Sequence, residues 1–150
     1  MKHQIQPNNA CFPTVVAMLL GIDVQEVINY GLSLGKHKQW DHIGDYWGYR
    51  AMVHDVAAHF HVPYRWAVMM TDTPTLASSK PALPSEKGVI VIRKNGLGAH
   101  IVAHENQLIY DGALPGVISW DAWYDMKIVK EKWSITEITP FNPNTKGKQL

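Results

Sequence analysis

The sequence predicts an α+β domain in which helices come first and a mostly antiparallel sheet follows. Two patterns carry that prediction. Before residue 61, apolar residues recur at helical spacing, with Met52, Val53, Val56, Ala57 and Phe60 as the clearest stripe. After residue 87 the pattern changes to short Val- and Ile-rich runs separated by turn residues. Runs of helix followed by runs of strand are the α+β signature. The chain has 150 residues, 46% of them hydrophobic. A chain of that size buries roughly two-thirds of the surface its unfolded form exposes, enough for one core without disulfides or metal. We expect one domain over residues 1–139 and a frayed tail over 140–150.

The elements follow in order. Thr14 to Leu20 forms a first helix, apolar on nearly every side and therefore buried. Pro13 is tolerated in its first turn, where its missing N–H would have no partner anyway, and Gly21 is its C-cap. Asp23 to Tyr30 is a second, short helix. Asp23 with Glu26 resembles a capping box, and Gly31 ends the helix. Residues 31–48 read as a long loop rich in Gly, His, Trp and Tyr. Tyr49 to Phe60 is a third helix stopped by Pro63. Tyr64 to Val68 is a first strand, and 70–87 a surface loop. Gly88 to Arg93, Ala99 to His104 and Gln107 to Tyr110 are strands. Ser119 to Asp125 is a short helix with Ser119 or Asp121 near its cap, and Lys127 to Ile138 a last strand or hairpin.

Charge and composition narrow the classes of function. Fourteen basic and 13 acidic residues leave a formal net charge of +1, which carries no electrostatic footprint for nucleic acid. Lys127, Lys130 and Lys132 are interleaved with Asp125 and Glu131 and read as a solvated face. The longest apolar run, Val15 to Leu20, is far short of the ~20 residues a membrane span needs. The first residues lack the apolar stretch of a secretory leader. A single cysteine cannot form an internal disulfide. Together these features predict a cytoplasmic protein that engages neither nucleic acid nor membrane.

That single cysteine, Cys11, falls at the start of the first, buried helix. A helix dipole stabilises a thiolate there, and the thiolate is the nucleophilic form. Free cysteines are also among the most buried residue types, so position alone leaves an inert thiol equally open. The strand pair adds a base. If 99–104 and 107–110 pair across Glu105-Asn106, residues whose numbers sum to 211 face each other, and His100 opposes Asp111. Directly opposed Cβ atoms lie about 4.5–5.5 Å apart, a natural distance for the histidine–carboxylate contact of a catalytic triad. His104 shares the strand face and is the rival base. His100 is preferred because Gly96-Leu97-Gly98-Ala99 precedes it and its small residues leave room for substrate, whereas His104, beside the turn, reads as a surface histidine.

The stretch Gln6-Pro7-Asn8-Asn9-Ala10-Cys11-Phe12, followed by Ala17 to Val27 with its Leu19-Leu20-Gly21, resembles the N-terminal motif of peptidase C39-like proteins. These are papain-like cysteine peptidases, with members in bacteria and bacteriophages. Gly98-Ala99-His100-Ile101-Val102 and Ile109-Tyr110-Asp111-Gly112 resemble the family's second and third motifs. Residues 31–87 match nothing in it, and Ala10 departs from the Asp or Asn common at that position. The resemblance implies a papain-like fold, with the nucleophile at a buried helix start packed on an antiparallel sheet. It implies Cys11 as nucleophile, His100 as general base and acid, and Asp111 as the orienting carboxylate. A glutamine upstream would donate to the oxyanion. Gln6 and Gln4 stand on either side of the family's usual spacing, and Gln6 is the choice. Asn9, Gly98, Ala99 and Trp47 are expected to line the substrate cleft, with a protein or peptide as substrate and a host protein among the candidates. No cofactor is implied.

Three other readings compete. His54, His59 and His61 raise the question of metal, but zinc ligands on one helix usually stand at i, i+4, and no metal is expected. The chain could be an inactive papain-like module that binds and blocks a protein partner, since fold does not fix function. Trp40, Tyr46, Trp47 and Tyr49 would then be contact residues. A triad of this type also serves acyltransferases and transglutaminases. The sequence does not separate these, nor does it give an oligomeric state.

Overall fold

In the computed structural model the described residues are 1–8, 10–35, 49–63, 65–66 and 80–142. Over them the chain is an α+β structure built on an antiparallel sheet. Helix α1 spans Cys11–Leu20, α2 Val24–Ser33 and α3 Tyr49–His59. They are followed by strands β1 (Arg65–Trp66), β2 (Gly88–Lys94), β3 (Gly98–Glu105), β4 (Leu108–Tyr110) and β5 (Ile118–Ser119). Helix α4 (Trp120–Tyr124) runs on into a wide π-helical turn, Asp125–Lys130, before β6 (Ser134–Asn142). The sheet order is β1-β6-β2-β3-β4-β5. Among the described residues no single helix is long and apolar enough to cross a membrane.

The helical half follows the sequence closely. Cys11 opens α1, nine of whose ten residues are buried, and Gly21 closes it in the left-handed conformation. Asp23 caps α2 by accepting from Gln25 N at 2.8 Å. Gly31 does not end that helix. It is buried within it, and α2 continues to Ser33. A glycine in a helix costs roughly 1 kcal/mol, which packing of the buried face outweighs here.

The sheet separates two apolar clusters. On one face, Val89, Val91, Ile101, Ala103 and Tyr110 pack against α1, with Val27, Val53, Val56 and Ala57 behind. On the other, Ile90, Ile92, Val102, Ile109, Ile135 and Ile138 pack against Leu83, Trp120 and Trp123. Register shifts between β2 and β6, where Val91 pairs with Glu137 but Ile92 pairs with Ile135. The extra residue, Thr136, is a bulge that puts Ile135 and Ile138, three apart, on the same face.

Three expectations need correction. The β3–β4 pair turns through Asn106-Gln107, both at positive φ, as a two-residue hairpin requires. The facing residues sum to 213, with His104 opposite Ile109 and Ala103 opposite Tyr110. The turn is held by Gln107, whose Nε2 donates to Leu83 O at 3.0 Å and whose carbonyl accepts from Trp120 N at 2.9 Å. Second, Lys127 to Lys130, expected as the start of the last strand, belong to the π-helical turn Asp125–Lys130, and β6 begins at Ser134. Third, Pro140, Phe141 and Asn142 belong to the sheet, pairing with Gly88, Trp66 and Arg65. The expected tail therefore does not begin at 140; residues 143–150 lie outside the described residues, as do 36–48 with Trp40, Tyr46 and Trp47.

Candidate active site

Cys11 is the first residue of α1, and Ala10 before it caps the helix with no side chain. The first turn carries no acidic residue, and Pro13 has no N–H to offer. The positive end of the helix is thus left to whatever the thiol meets. Thr14 ties the turn back to Ala10 O, through its N–H at 3.2 Å and its hydroxyl at 2.7 Å.

His100 lies near the start of β3, paired with Ile92 of β2. On its other side the ladder with β4 stops at Ala103↔Tyr110, so at the level of His100 that edge of β3 is open. Asp111 follows Tyr110 directly and turns into the gap. His100 Nε2 donates to Asp111 Oδ1 at 2.8 Å. The same oxygen accepts from Ala113 N at 2.9 Å, and Oδ2 accepts from Trp123 Nε1 at 3.0 Å. The predicted register was displaced by two, yet the contact forms. A shift of two keeps both residues on one face, and diagonal neighbours in a sheet remain within side-chain reach.

The electrostatics are those of a coupled set. Burial pushes the His100 imidazole down, but hydrogen bonds to Asp111 and Cys11, with the charges of both, outweigh it and raise the group from 6.5 to about 9. Burial pushes Asp111 up, and the hydrogen bond and charge of His100, helped by Trp123 and Ala113, hold it below the usual carboxylate range. With Nε2 committed to Asp111, Nδ1 is the ring nitrogen left for the Cys11 thiol. His100 is therefore favoured as the imidazolium, held on the Asp111 carboxylate with Cys11 as its second neighbour.

The N-terminal segment brings these parts together. Gln6 N donates to Gly112 O at 2.8 Å, and the His3 Nε2 atom meets Asp111 O at 2.9 Å. A Cβ on Gly112 would sit 3.0 Å from Thr14 Cγ2 and 3.1 Å from Gln6 Cβ. The glycine after Asp111 thus lets α1 and the N-terminal segment close on the carboxylate-bearing turn. The two glutamines part company here. Gln4 is spent on the α1–α2 corner, its Nε2 donating to Ile22 O and its Oε1 accepting from Val24 N, both at 2.8 Å. Gln6 lies beside Gly112. Its Nε2 donates to Asn8 O at 3.3 Å, while its Oε1 is buried without a partner among the described residues.

Gly98 and Ala99 form the exposed and half-buried start of β3 leading to His100. Asn9 and Trp47 lie outside the described residues. His104 is not a surface residue. It is fully buried on the α4 face of the sheet and makes no contact with the site's hydrogen bonds. Among the described residues no three His, Cys, Asp or Glu side chains gather to hold a metal ion; His59 stacks on Tyr30 with ring centroids 3.9 Å apart.

Two tryptophans were missed by the sequence reading. Trp123 contributes the second-oxygen contact to Asp111, and Trp133 has its ring 6.4 Å from that of His100. The signal for the first was present, because a buried indole N–H needs an acceptor, and Trp123 follows Trp120 by three residues on a short helix. Comparison with protein-family models, with curated proteins and with solved structures finds no match to this chain.

Proposed function

We propose that the chain is a papain-like cysteine hydrolase that cleaves a peptide, isopeptide or related amide bond through Cys11, His100 and Asp111. One observation carries the reading: a single imidazole is hydrogen-bonded to a buried carboxylate, and its pKa is raised by that carboxylate and by the cysteine that starts an uncapped helix.

In this reading the Cys11 sulfur, as thiolate beside the His100 imidazolium, attacks the acyl carbon. The oxyanion is met by the Cys11 backbone N–H and by the Gln6 side chain, which must leave Asn8 O to do so. His100 gives its proton to the leaving amine, and the neutral ring then activates the water that releases the acyl group. Asp111 holds the ring in the Nε2–H tautomer throughout. An amine in place of water would make the same acyl-enzyme a transferase, and the products distinguish the two.

The glutamines give a clean internal control. Gln6→Ala is expected to slow turnover about 10²–10³-fold, the usual effect of losing one oxyanion donor, with little loss of stability. Gln4→Ala is expected to leave the chemistry intact and to lower stability by about 1–3 kcal/mol, through two backbone groups left unpaired. The reverse pattern would make Gln4 the donor.

The direct test of function compares cell extract treated with the wild type and with Cys11→Ala, mapping new peptide N-termini and released isopeptide partners by mass spectrometry. Products formed only by the wild type are expected. Identical product sets would refute hydrolysis. A second reading, an inactive module that binds a protein partner, draws on one observation: Cys11 is only 7% exposed. It predicts that Cys11→Ala retains the full biological effect.

A further inference from the structure

Trp123 is fully buried, and so is Asp111. The indole N–H is a donor only. It approaches Asp111 Oδ2 at 3.0 Å, while Oδ1 takes both His100 Nε2 and Ala113 N. Among the described residues every hydrogen-bond partner of the carboxylate is therefore a donor, and the two oxygens are divided between different elements. Oδ1 faces β3 and the chain just past Asp111, and Oδ2 faces α4. The backbone carbonyl of the same residue meets His3 of the N-terminal segment. A carboxylate held by one oxygen can swing about its Cβ–Cγ bond. Held by both, it cannot.

The helix that carries Trp123 is built to keep it there. Ser119 caps α4 by accepting from Ala122 N at 3.1 Å, and Trp120 N donates to Gln107 O at 2.9 Å, fixing the helix to the β3–β4 turn. Trp120 stacks on Trp123 with centroids 6.1 Å apart, and both belong to the cluster with Val102 and Ile109. The indole thus comes from the α4 layer, on the far side of the sheet from the body of α1.

We propose that Trp123 is a positioning residue of the active site, its indole N–H clamping Asp111 Oδ2 so that Oδ1 stays fixed on His100 Nε2. This rests on the hydrolase reading above. The clamp has two duties. It keeps Asp111 ionised in an apolar layer, where an unpaired anionic oxygen is costly. It also fixes the direction in which His100 is held, and so the direction of the ring nitrogen that meets Cys11. The groups facing Asp111 are His100 from β3, His3 from the N-terminal segment and Trp123 from α4; Cys11 lies beyond His100.

The test is Trp123→Phe, which keeps most of the ring and removes the N–H. Selective 13C labelling of aspartate reports the ionisation of Asp111 through its Cγ resonance, independently of activity. The variant is expected to take up its proton at higher pH than the wild type, and to lower kcat about tenfold or more with KM within about twofold. Merely structural packing would lower stability and leave the Asp111 titration where it was, and that result overturns the proposal. Should the variant fail to fold, the wild type supplies the readout: the Trp123 Nε1–H proton resonance must move in step with Asp111 Cγ as the carboxylate titrates, and an indole resonance blind to that titration overturns the proposal equally. Alkylation of wild-type Cys11 by iodoacetamide is measured alongside. If it proceeds no faster than with free cysteine, the hydrolase reading fails and the proposal with it. Fast alkylation with an unmoved Asp111 sinks the clamp alone.

Discussion

His100 and His104 stand four residues apart on one face of β3, and the fold treats them in opposite ways. His100 sits where the strand has lost its β4 neighbour, with Asp111 on one nitrogen and the Cys11 thiol in reach of the ring. His104 sits where β3 is paired on both sides, with Gly88 of β2 and Ile109 of β4. Its two ring nitrogens are buried and have no hydrogen-bond partner among the described residues. The partnered imidazole is raised to about 9, and the orphaned one is pushed by burial down to about 4, the Glu105 charge opposing only weakly. The lesson is that burial alone does not set a histidine's charge. The partners supplied at one end of a strand and withheld at the other do so.

The comparison breaks first at turnover. His100→Ala is expected to lower it by about 10²–10⁴-fold, the usual worth of a positioned acid–base group, while His104→Leu leaves it within about twofold. Equal losses would end the distinction. The alkaline limb sharpens it. In the proposed mechanism His100 must be protonated to serve the leaving group, so kcat/KM is expected to fall as pH rises through about 9. The same shift stabilises the fold: its contribution is fully present below 6.5 and is lost as pH rises through about 9.

His104 carries the opposite sign. Its folded value lies below its unfolded one, so between 6.5 and about 4 the unfolded chain binds a proton that the folded chain refuses. Stability is therefore expected to decline by about 3 kcal/mol across that interval, measured by urea unfolding at both ends. His104→Leu should flatten the decline. An unchanged slope in that variant would assign the acid sensitivity elsewhere.

The smallest effect concerns the wall of the His104 site. A Cβ on Gly88 would lie 2.5 Å from His104 Nε2 and 2.6 Å from Thr139 O. Gly88→Ala is expected to cost about 1–3 kcal/mol of stability by overpacking, with kcat unchanged. A neutral substitution would mean that both the imidazole and the β6 backbone at Thr139 can give way.

Much of this was legible in the sequence, and the misses have physical causes. α1, its Gly21 cap and the placing of Cys11 at its start followed from an apolar run bounded by turn residues. The pairing of His100 with Asp111 was anticipated through a register that proved two residues off. Periodicity fixes which face a residue takes, but the turn fixes how far along the ladder it stands, and Asn106-Gln107 does not look like a type I′ turn because Gln at positive φ is unusual. His104 misled for a related reason. Proximity to a turn suggests exposure, yet Ile109 opposite it belongs to the second cluster, and the chain from Leu83 to Ser85 packs along the same turn. Trp123 was invisible to a search among titratable groups, although its contact to Asp111 is as direct as that of His100.

The central claim is that Cys11 is activated by His100. The most direct measurement is the rate of Cys11 alkylation by iodoacetamide at pH 7, in wild type and in His100→Ala, against free cysteine. Free cysteine is only a few per cent thiolate there. The wild type is expected to react about tenfold faster than free cysteine, and His100→Ala to fall back to its rate or below. Equal rates for the two proteins would contradict the account.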